Sequence, residues 1–362
     1  MNKKVVIIGN NSGGMYDFRH ELIEELIRRG CSITVLTPFD TKVDELRDIG
    51  VELIDTPLNR RGINPKEDFT LLCLYRKLLK KLQPDLVITY TIKPNIYGGY
   101  ACRRLSIPYA ANITGLGTTF QKEGILKKIV VFLYKIGLKS ARTVFFENDE
   151  NRQIFLDTKI VNNERTCLLN GAGVNLERYS LIDYPSGDKT KFLFIGRVMK
   201  EKGIDELFAA MKKLVEEGVD CSLDILGGYE EDYKAVIQKY EREGWLHYHG
   251  YQLDVRPFIA KTHCFVLPSW HEGMANTNLE CAASGRPVIT SNIHGCLEAV
   301  ENGVTGFLCK RKDEVDLYQM MMNFTKLSYE ERREMGIAGR HRMERLFDKK
   351  IVIKQTLERL EE

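Results

Sequence analysis

Phe192-Leu193-Phe194-Ile195-Gly196-Arg197-Val198-Met199-Lys200-Glu201-Lys202-Gly203 runs from an apolar segment through a glycine into a short charged turn, and a helical pattern over Asp205–Glu217 follows directly. A buried strand that feeds a helix through a tight turn is one βα unit. Downstream the alternation continues, with strands expected at Ser222–Gly227, Cys264–Pro268 and Pro287–Thr290 and helices at Glu230–Glu243 and Thr277–Ser284. Upstream it occurs a second time: Val5–Gly9, Ser32–Pro38, Val51–Pro57, Asp85–Tyr90 and Pro108–Ile113 are short β-rich runs, separated by helical patterns such as Arg19–Gly30 and Phe69–Leu82. Strands that alternate with helices pair in parallel through crossover connections. The expected fold class is α/β, with two Rossmann-like doubly wound parallel-sheet domains facing across a cleft and a ligand at the carboxyl ends of their strands.

Tyr184-Pro185-Ser186-Gly187-Asp188 breaks the periodicity and reads as a linker, which sets expected domains at 1–185 and 186–346, with a charged helical tail over 347–362. The 362 residues are 43% hydrophobic and 28% charged, an ordinary balance for a folded chain. The longest apolar run, Ile129–Tyr134, is far short of the roughly 20 residues of a membrane-spanning helix. Lys3-Lys4 with Val5–Ile8 ends too soon, at Gly9, for a signal peptide. Nine cysteines without a C-x-x-C pair read as reduced thiols of a cytoplasmic protein. The net charge of +3 hides an asymmetry, because residues 1–185 hold 27 Lys and Arg against 21 Asp and Glu, and the remainder 26 against 29. The excess concentrates between Gln121 and Arg142, where Lys122, Lys127, Lys128, Lys135, Lys139 and Arg142 face only Glu123. Such a cluster suggests an anionic partner.

Three turns carry chemistry. Gly9-Asn10-Asn11-Ser12-Gly13-Gly14 offers glycines able to take positive φ and a helix N-terminus for an anion. It lacks the G-x-G-x-x-G spacing, and Leu36-Thr37-Pro38 stands where a dinucleotide site needs an acid. Arg197 and Lys202 converge near the start of the next helix and suit a diphosphate, Arg through paired donors and Lys as a mobile point charge. After Cys264–Pro268, the run Ser269-Trp270-His271-Glu272-Gly273-Met274-Ala275-Asn276-Thr277-Asn278-Leu279-Glu280 places Glu272 on a loop and Glu280 about one turn into a helix, with Asn276 or Thr277 as the expected cap. The Gly273 to Ala275 amides suit phosphate or sugar oxygens, and the two carboxylates suit hydroxyls. A ligand anionic in the middle and hydroxylated on both sides is a nucleoside diphosphate sugar.

The spacing of Glu272 and Glu280 within P-S-x-x-E-G-x-x-N-x-x-L-E-A/C, with G-R-x-x-x-E-K-G at Gly196–Gly203, resembles glycosyltransferase family 4, retaining enzymes of the GT-B fold. Asp224-Ile225-Leu226-Gly227-Gly228, Gly250-Tyr251 before Asp254-Val255, and Gly285-Arg286-Pro287-Val288-Ile289 agree with it. The resemblance implies that Arg197 and Lys202 bind the donor diphosphate and stabilise the leaving nucleotide, while Glu272 contacts the transferred sugar and Glu280 the ribose. Gly13, Gly14, Gly273, Met274, Ala275, Asn276, Asn278 and Leu279 are expected around the donor, and the resemblance implies that Gly228 and the stretch Tyr251 to Val255 lie near the base. It further implies that the final helix, from about Phe347, crosses back onto the first domain and that no metal or other cofactor takes part.

Thr114 stands where many members have a His at the tip of the fifth strand, so no general base is expected there. Front-face attack, in which the leaving phosphate takes the acceptor proton, needs none. Ile113-Thr114-Gly115-Leu116-Gly117 and Thr91-Ile92-Lys93-Pro94-Asn95 are similar to a subgroup that builds bacterial surface polysaccharides on polyprenyl diphosphate, with Lys93 set either for the carrier's phosphate or for a surface ion pair. If Ile125–Arg142 is a helix, Ile125, Ile129, Phe132, Leu133 and Ile136 share one side and Lys128, Lys135, Lys139 and Arg142 another. Such a helix suits an anionic membrane, or else a core with a solvated basic face. The expected function is transfer of a sugar from a nucleotide donor, uridine-linked, to a lipid-linked saccharide at the inner face of a bacterial membrane, with no nucleic acid involved. A nucleotide-sugar 2-epimerase of the same fold needs acids and His in the first domain, where only Asp17 and His20 qualify. A non-catalytic nucleotide-sugar-binding protein fits poorly with intact Arg197, Lys202, Glu272 and Glu280.

Overall fold

Continuous rather than alternating apolar runs mark strands covered on both faces. In the computed structural model, which describes residues 3–59, 64–117, 120 and 124–362, Val5 to Ile8 of the first strand are all buried. That strand, β1 (Lys4–Ile8), lies in the interior of a parallel sheet with β2 (Ser32–Thr37), β3 (Glu52–Asp55), β4 (Leu86–Tyr90), β5 (Tyr109–Ile113), β6 (Thr143–Phe146) and β7 (Thr166–Leu168). The order is β3-β2-β1-β4-β5-β6-β7. A second parallel sheet comprises β8 (Thr190–Ile195), β9 (Cys221–Leu226), β10 (Leu246–Tyr248), β11 (Cys264–Leu267), β12 (Val288–Ser291) and β13 (Gly306–Cys309), in the order β10-β9-β8-β11-β12-β13. In both sheets the order reverses beside the first strand, between β1 and β4 and between β8 and β11. Connections leave in opposite directions there, which opens a crevice at the carboxyl ends.

Four of these strands, β6, β7, β10 and β13, are absent from the sequence-based expectation. Each has three or four residues, too few to show a period. Most helices fall close to expectation, Pro65–Leu82, Ile204–Glu216, Lys234–Arg242, Asn276–Ala283, and a charged pair, Tyr329–Leu346 and Lys349–Glu361, but the first, Ser12–Arg28, begins well before the expected Arg19 and takes in the glycine turn. The basic helix is shorter than expected, Ile125–Gly137, so Lys139 and Arg142 lie beyond its end. Its last turn sits so close to the Pro94–Gly98 turn that a Cβ on Gly137 would meet the Ile96 carbonyl at 2.7 Å. Thr118, Thr119, Lys122 and Glu123 lie outside the described residues. Among the described residues no helix is long and apolar enough to cross a membrane.

The chain divides into two compact units, residues 1–172 with 352–362, and residues 173–351. The division precedes the Tyr184–Asp188 linker because the segment before it is fastened to the second unit. Arg286, fully buried, donates to the carbonyls of Asp183 at 2.7 Å and Ile182 at 3.3 Å, and also to Ile259 and Ala260. Tyr184 packs edge-on against His263 and Tyr329 and donates to the His263 carbonyl at 2.9 Å. A proline and a glycine mark a break in periodicity, but side-chain packing decides to which body a segment belongs.

Candidate active site

Arg197 and Lys202 follow the end of β8, and Ser269 to Glu272 follow the end of β11, the two strands that flank the reversal in the second sheet. After the single helical turn Lys200–Lys202, Gly203 adopts φ +73°. A Cβ there would lie 2.1 Å from the Pro268 carbonyl oxygen, so only glycine lets the two strand ends approach. Gly227, at φ +138°, allows the same beneath the Gly196 carbonyl, where a Cβ would come to 1.9 Å.

Glu272 Oε1 accepts from the Lys202 ammonium and, at 2.7 Å, from the Ser269 hydroxyl. The Lys202 and Glu272 side chains are 19% and 12% exposed. Burial alone pushes the Glu272 carboxyl up, but the Lys202 charge and hydrogen bond, with that of Ser269, outweigh it and hold the group below the ordinary carboxylate range. The pair is therefore charged and largely dehydrated, stable only while each partner answers the other. Arg197 differs, being 53% exposed and reaching Glu230 Oε2 at 3.4 Å. An exposed contact of that length costs little to exchange for a phosphate.

Glu280, on helix Asn276–Ala283, pairs with Tyr179, a partner that no motif announces. Burial, then the Glu280 charge and hydrogen bond, push the Tyr179 phenol well up, so it stays a donor to the carboxylate. Gly228 borders open space and Tyr251 is exposed. Trp270 and His271 lie between Ser269 and Glu272; burial, only partly offset by Glu201 and Glu272, lowers the His271 pKa and favours its neutral form. Among the described residues no three His, Cys, Asp or Glu side chains are grouped as metal ligands.

Two family models match the chain, glycosyl transferases group 1 over residues 183–342 and glycosyl transferase 4-like over residues 4–148. The chain belongs to the group 1, family 4 glycosyltransferases. It is a retaining enzyme of that family. The N,N'-diacetylbacillosaminyl-diphospho-undecaprenol alpha-1,3-N-acetylgalactosaminyltransferase of Campylobacter jejuni is 27% identical over 331 residues, 87% of each chain. The UDP-Gal:alpha-D-GlcNAc-diphosphoundecaprenol alpha-1,3-galactosyltransferase of Escherichia coli is 26% identical over 282 residues, 74% of this chain and 73% of that one. Among solved structures, a glycosyltransferase of Rickettsia africae aligns with a TM-score of 0.82 at 19% identity, over 99% of this chain and 98% of its own. Anabaena HepE in complex with UDP-glucose aligns at 0.81 and 17%, over 99% and 100%. These two likenesses concern the fold, which is GT-B.

Several residues of the glycosyltransferase differ from expectation. Helix Asn276–Ala283 starts without a side-chain cap, Ala275 rather than Asn276 or Thr277 holding that position, and the Ala275 amide is taken by the Gly295 carbonyl at 2.7 Å. Asn278 and Leu279 are fully buried, and Asn278 Nδ2 donates to Thr290 Oγ1 at 3.1 Å, so both side chains belong to the core. Gly13 and Gly14 have no positive φ and lie in the first turn of helix Ser12–Arg28. Their amides donate to Asp40 Oδ1, at 2.9 Å, and to the Asn11 side chain, which closes this turn on itself rather than presenting it to an anion. Small size is what the turn requires, since a Cβ on Gly13 would lie 2.2 Å from Thr41 Oγ1. Lys93 donates to Asp68 at 2.7 Å with both side chains largely buried, an interior rather than a surface ion pair. Thr114 is half-buried just beyond β5. Asp17 pairs with Lys42, and His20 Nδ1 lies 2.6 Å from the Tyr16 carbonyl, so the side chains that a 2-epimerase needs are engaged elsewhere.

Proposed function

We propose that this glycosyltransferase moves a hexosyl or N-acetylhexosaminyl group from a uridine diphosphate donor to a saccharide carried on polyprenyl diphosphate, at the inner face of a bacterial membrane. The observation that carries the reading is the dehydrated Lys202–Glu272 pair at the strand-order reversal, with Arg197 exposed beside it. The names of the C. jejuni and E. coli relatives support the acceptor class, and UDP-Gal and UDP-glucose in the names of relative and neighbour support the base.

Lys202 and Arg197 meet the donor diphosphate, and Glu272 turns to the sugar hydroxyls as Lys202 shifts its charge toward phosphate. Breaking the anomeric C–O bond puts negative charge on the departing phosphate oxygen, which the two cations stabilise most strongly in the transition state. That oxygen then takes the proton of the acceptor hydroxyl as the new C–O bond forms on the same face, so configuration is retained without a base at Thr114. Glu280, steadied by Tyr179, accepts from the ribose. Arg197 and Lys202 supply the charge that a divalent ion supplies elsewhere, so the reaction needs no metal.

Membrane contact falls to helix Ile125–Gly137. Ile125, Leu126, Ile129 and Phe132 are 79%, 41%, 47% and 61% exposed, and at 100° per residue Lys128 and Lys135 flank the Phe132 side of this stripe. An apolar stripe rimmed by lysines matches an anionic bilayer surface. A screen of UDP-, GDP- and ADP-sugars for hydrolysis, and for transfer to a polyprenyl-diphosphate saccharide, tests the reaction. A UDP-sugar is turned over, and Lys202→Ala and Glu272→Ala each lower kcat by about 10²-fold or more. Indifference to every donor, or full activity in both variants, overturns the proposal.

A further inference from the structure

We infer that Trp270 is a positioning residue, which clamps the Ser269–Glu272 loop to the Lys200–Gly203 turn and so sets the spacing of Lys202 and Glu272; its consequence for catalysis rests on the function proposed above. Trp270 bonds twice to the segment that carries Lys202. Its backbone N–H donates to the Glu201 carbonyl at 2.9 Å, and its indole N–H donates to Glu206 Oε1 at 3.0 Å, on helix Ile204–Glu216 immediately beyond Gly203. Two residues further on, Glu272 pairs with Lys202. A third segment, the turn after β13, closes on the same ring: Lys312 Nζ lies 4.1 Å from the ring centroid, and Arg311 Nη1 reaches the Trp270 carbonyl at 3.5 Å.

Glu206 shows what the arrangement is for. It is buried, and its Oε2 has no hydrogen-bond partner. Holding a carboxylate in such a place for one indole N–H is unfavourable compared with an apolar contact of the same size. What the carboxylate adds is direction. A main-chain bond alone lets the loop pivot, whereas a second bond from the end of the indole fixes its orientation. Glu272 must meet sugar hydroxyls while Lys202 meets phosphate, and a shift of about 1 Å between such groups costs up to roughly 10²-fold in rate.

Trp270→Phe keeps the ring and removes the N–H; Glu206→Leu removes the acceptor; Glu206→Gln keeps an oxygen for the indole. Amide hydrogen exchange in the full chain reads the clamp without any substrate. The first two variants exchange about tenfold faster at Glu201–Gly203 and His271–Met274, with β12 unchanged, while Glu206→Gln behaves as wild type. With a UDP-sugar, kcat falls about tenfold in the first two variants, the donor KM stays within about threefold, and Glu206→Gln again matches wild type. Unchanged exchange in Trp270→Phe and Glu206→Leu, acceleration spread evenly over residues 173–351, or a Gln variant as impaired as Leu each overturns the inference. A wild-type chain that turns over no nucleotide sugar defeats the proposed function instead, and exchange still decides the clamp.

Discussion

His263 stands immediately before β11, almost wholly buried, its Nδ1 accepting from the Lys191 amide at 3.1 Å and its Nε2 without a partner. Burial, then the positive charges of Arg332, Lys191 and Arg286, lower its pKa to about 4. The unfolded chain, with a His pKa near 6.5, takes up the proton first. The contribution to stability is therefore complete above pH ~6.5 and is lost as pH falls through the window toward about 4, on the order of 1–2 kcal/mol after allowance for solvent screening. His271, lowered chiefly by burial, acts in the same direction. Glu272, held below the ordinary carboxylate range, loses its contribution only in stronger acid. Thermal scans from pH 7 to 4 are expected to show Tm falling less steeply in His263→Asn, whose side-chain oxygen still accepts from Lys191, than in wild type; parallel curves would remove His263 from the account. Neither imidazole's state is readable from its neighbours in sequence. The places of Arg197, Lys202 and Glu272 in the fold are, because a charge placed after an apolar run and before a helix has only one end of a parallel sheet to occupy, whereas Glu280 lies within the helix that follows and its partner Tyr179 is found only in the structure.

Strands with four or more consecutive apolar residues announce themselves, since covering both faces leaves no polar position to interrupt the run. The short edge strands β7, β10 and β13 do not, because three or four paired residues satisfy a neighbour's backbone without forming a pattern. The basic helix shows a different limit. Its apolar positions are compatible equally with a core and with a membrane, and only structure shows that Tyr134 and Gly137 are buried, with Val130, Val131 and Leu133 packed against the core, while Ile125, Leu126, Ile129 and Phe132 stay exposed. Packing through one face leaves Ile129 and Phe132 on the other, open to a bilayer interface. Each lysine near an anionic surface contributes about 1 kcal/mol, so reversing Lys128 and Lys135 to Glu is expected to weaken binding to phosphatidylserine or cardiolipin vesicles by roughly 30-fold or more. Phe132→Ala is expected to weaken binding to anionic vesicles while leaving the helical circular dichroism unchanged. Equal flotation with neutral and anionic vesicles, or no loss in the double Glu variant, would exclude this helix as the membrane contact.

The chain does not keep its two bodies in simple sequence order. Residues 352–362 count with the first unit, although the residues just before them end the second. Leu357 is 2% exposed in the cluster that holds Ile7, Val35 and Ile88, and Val352 is 3% exposed beside Ala110, Phe145 and Leu169. Arg29 binds Glu361 at 2.6 Å at the rim. Composition cannot show this, because a tail so rich in charge looks like a solvated helix, and two buried apolar residues, with Ile353 and Leu360 packed beside them, decide where it rests. Those two complete the covering of a sheet whose strands are buried on both faces, so their loss is felt by β1 and β5 rather than by the tail alone. Leu357→Ala is expected to cost about 2–5 kcal/mol. A chain ending at residue 351 gives up the burial of both side chains, roughly 3–6 kcal/mol. Native-state hydrogen exchange in mild urea separates the units: amides of β1, β4 and β5 lose protection in both variants, while those of β8, β9 and β11 keep theirs. Uniform loss across both sheets would mean that the two units unfold as one, and undiminished protection of β1 would mean that Leu357 does not stabilise the first sheet.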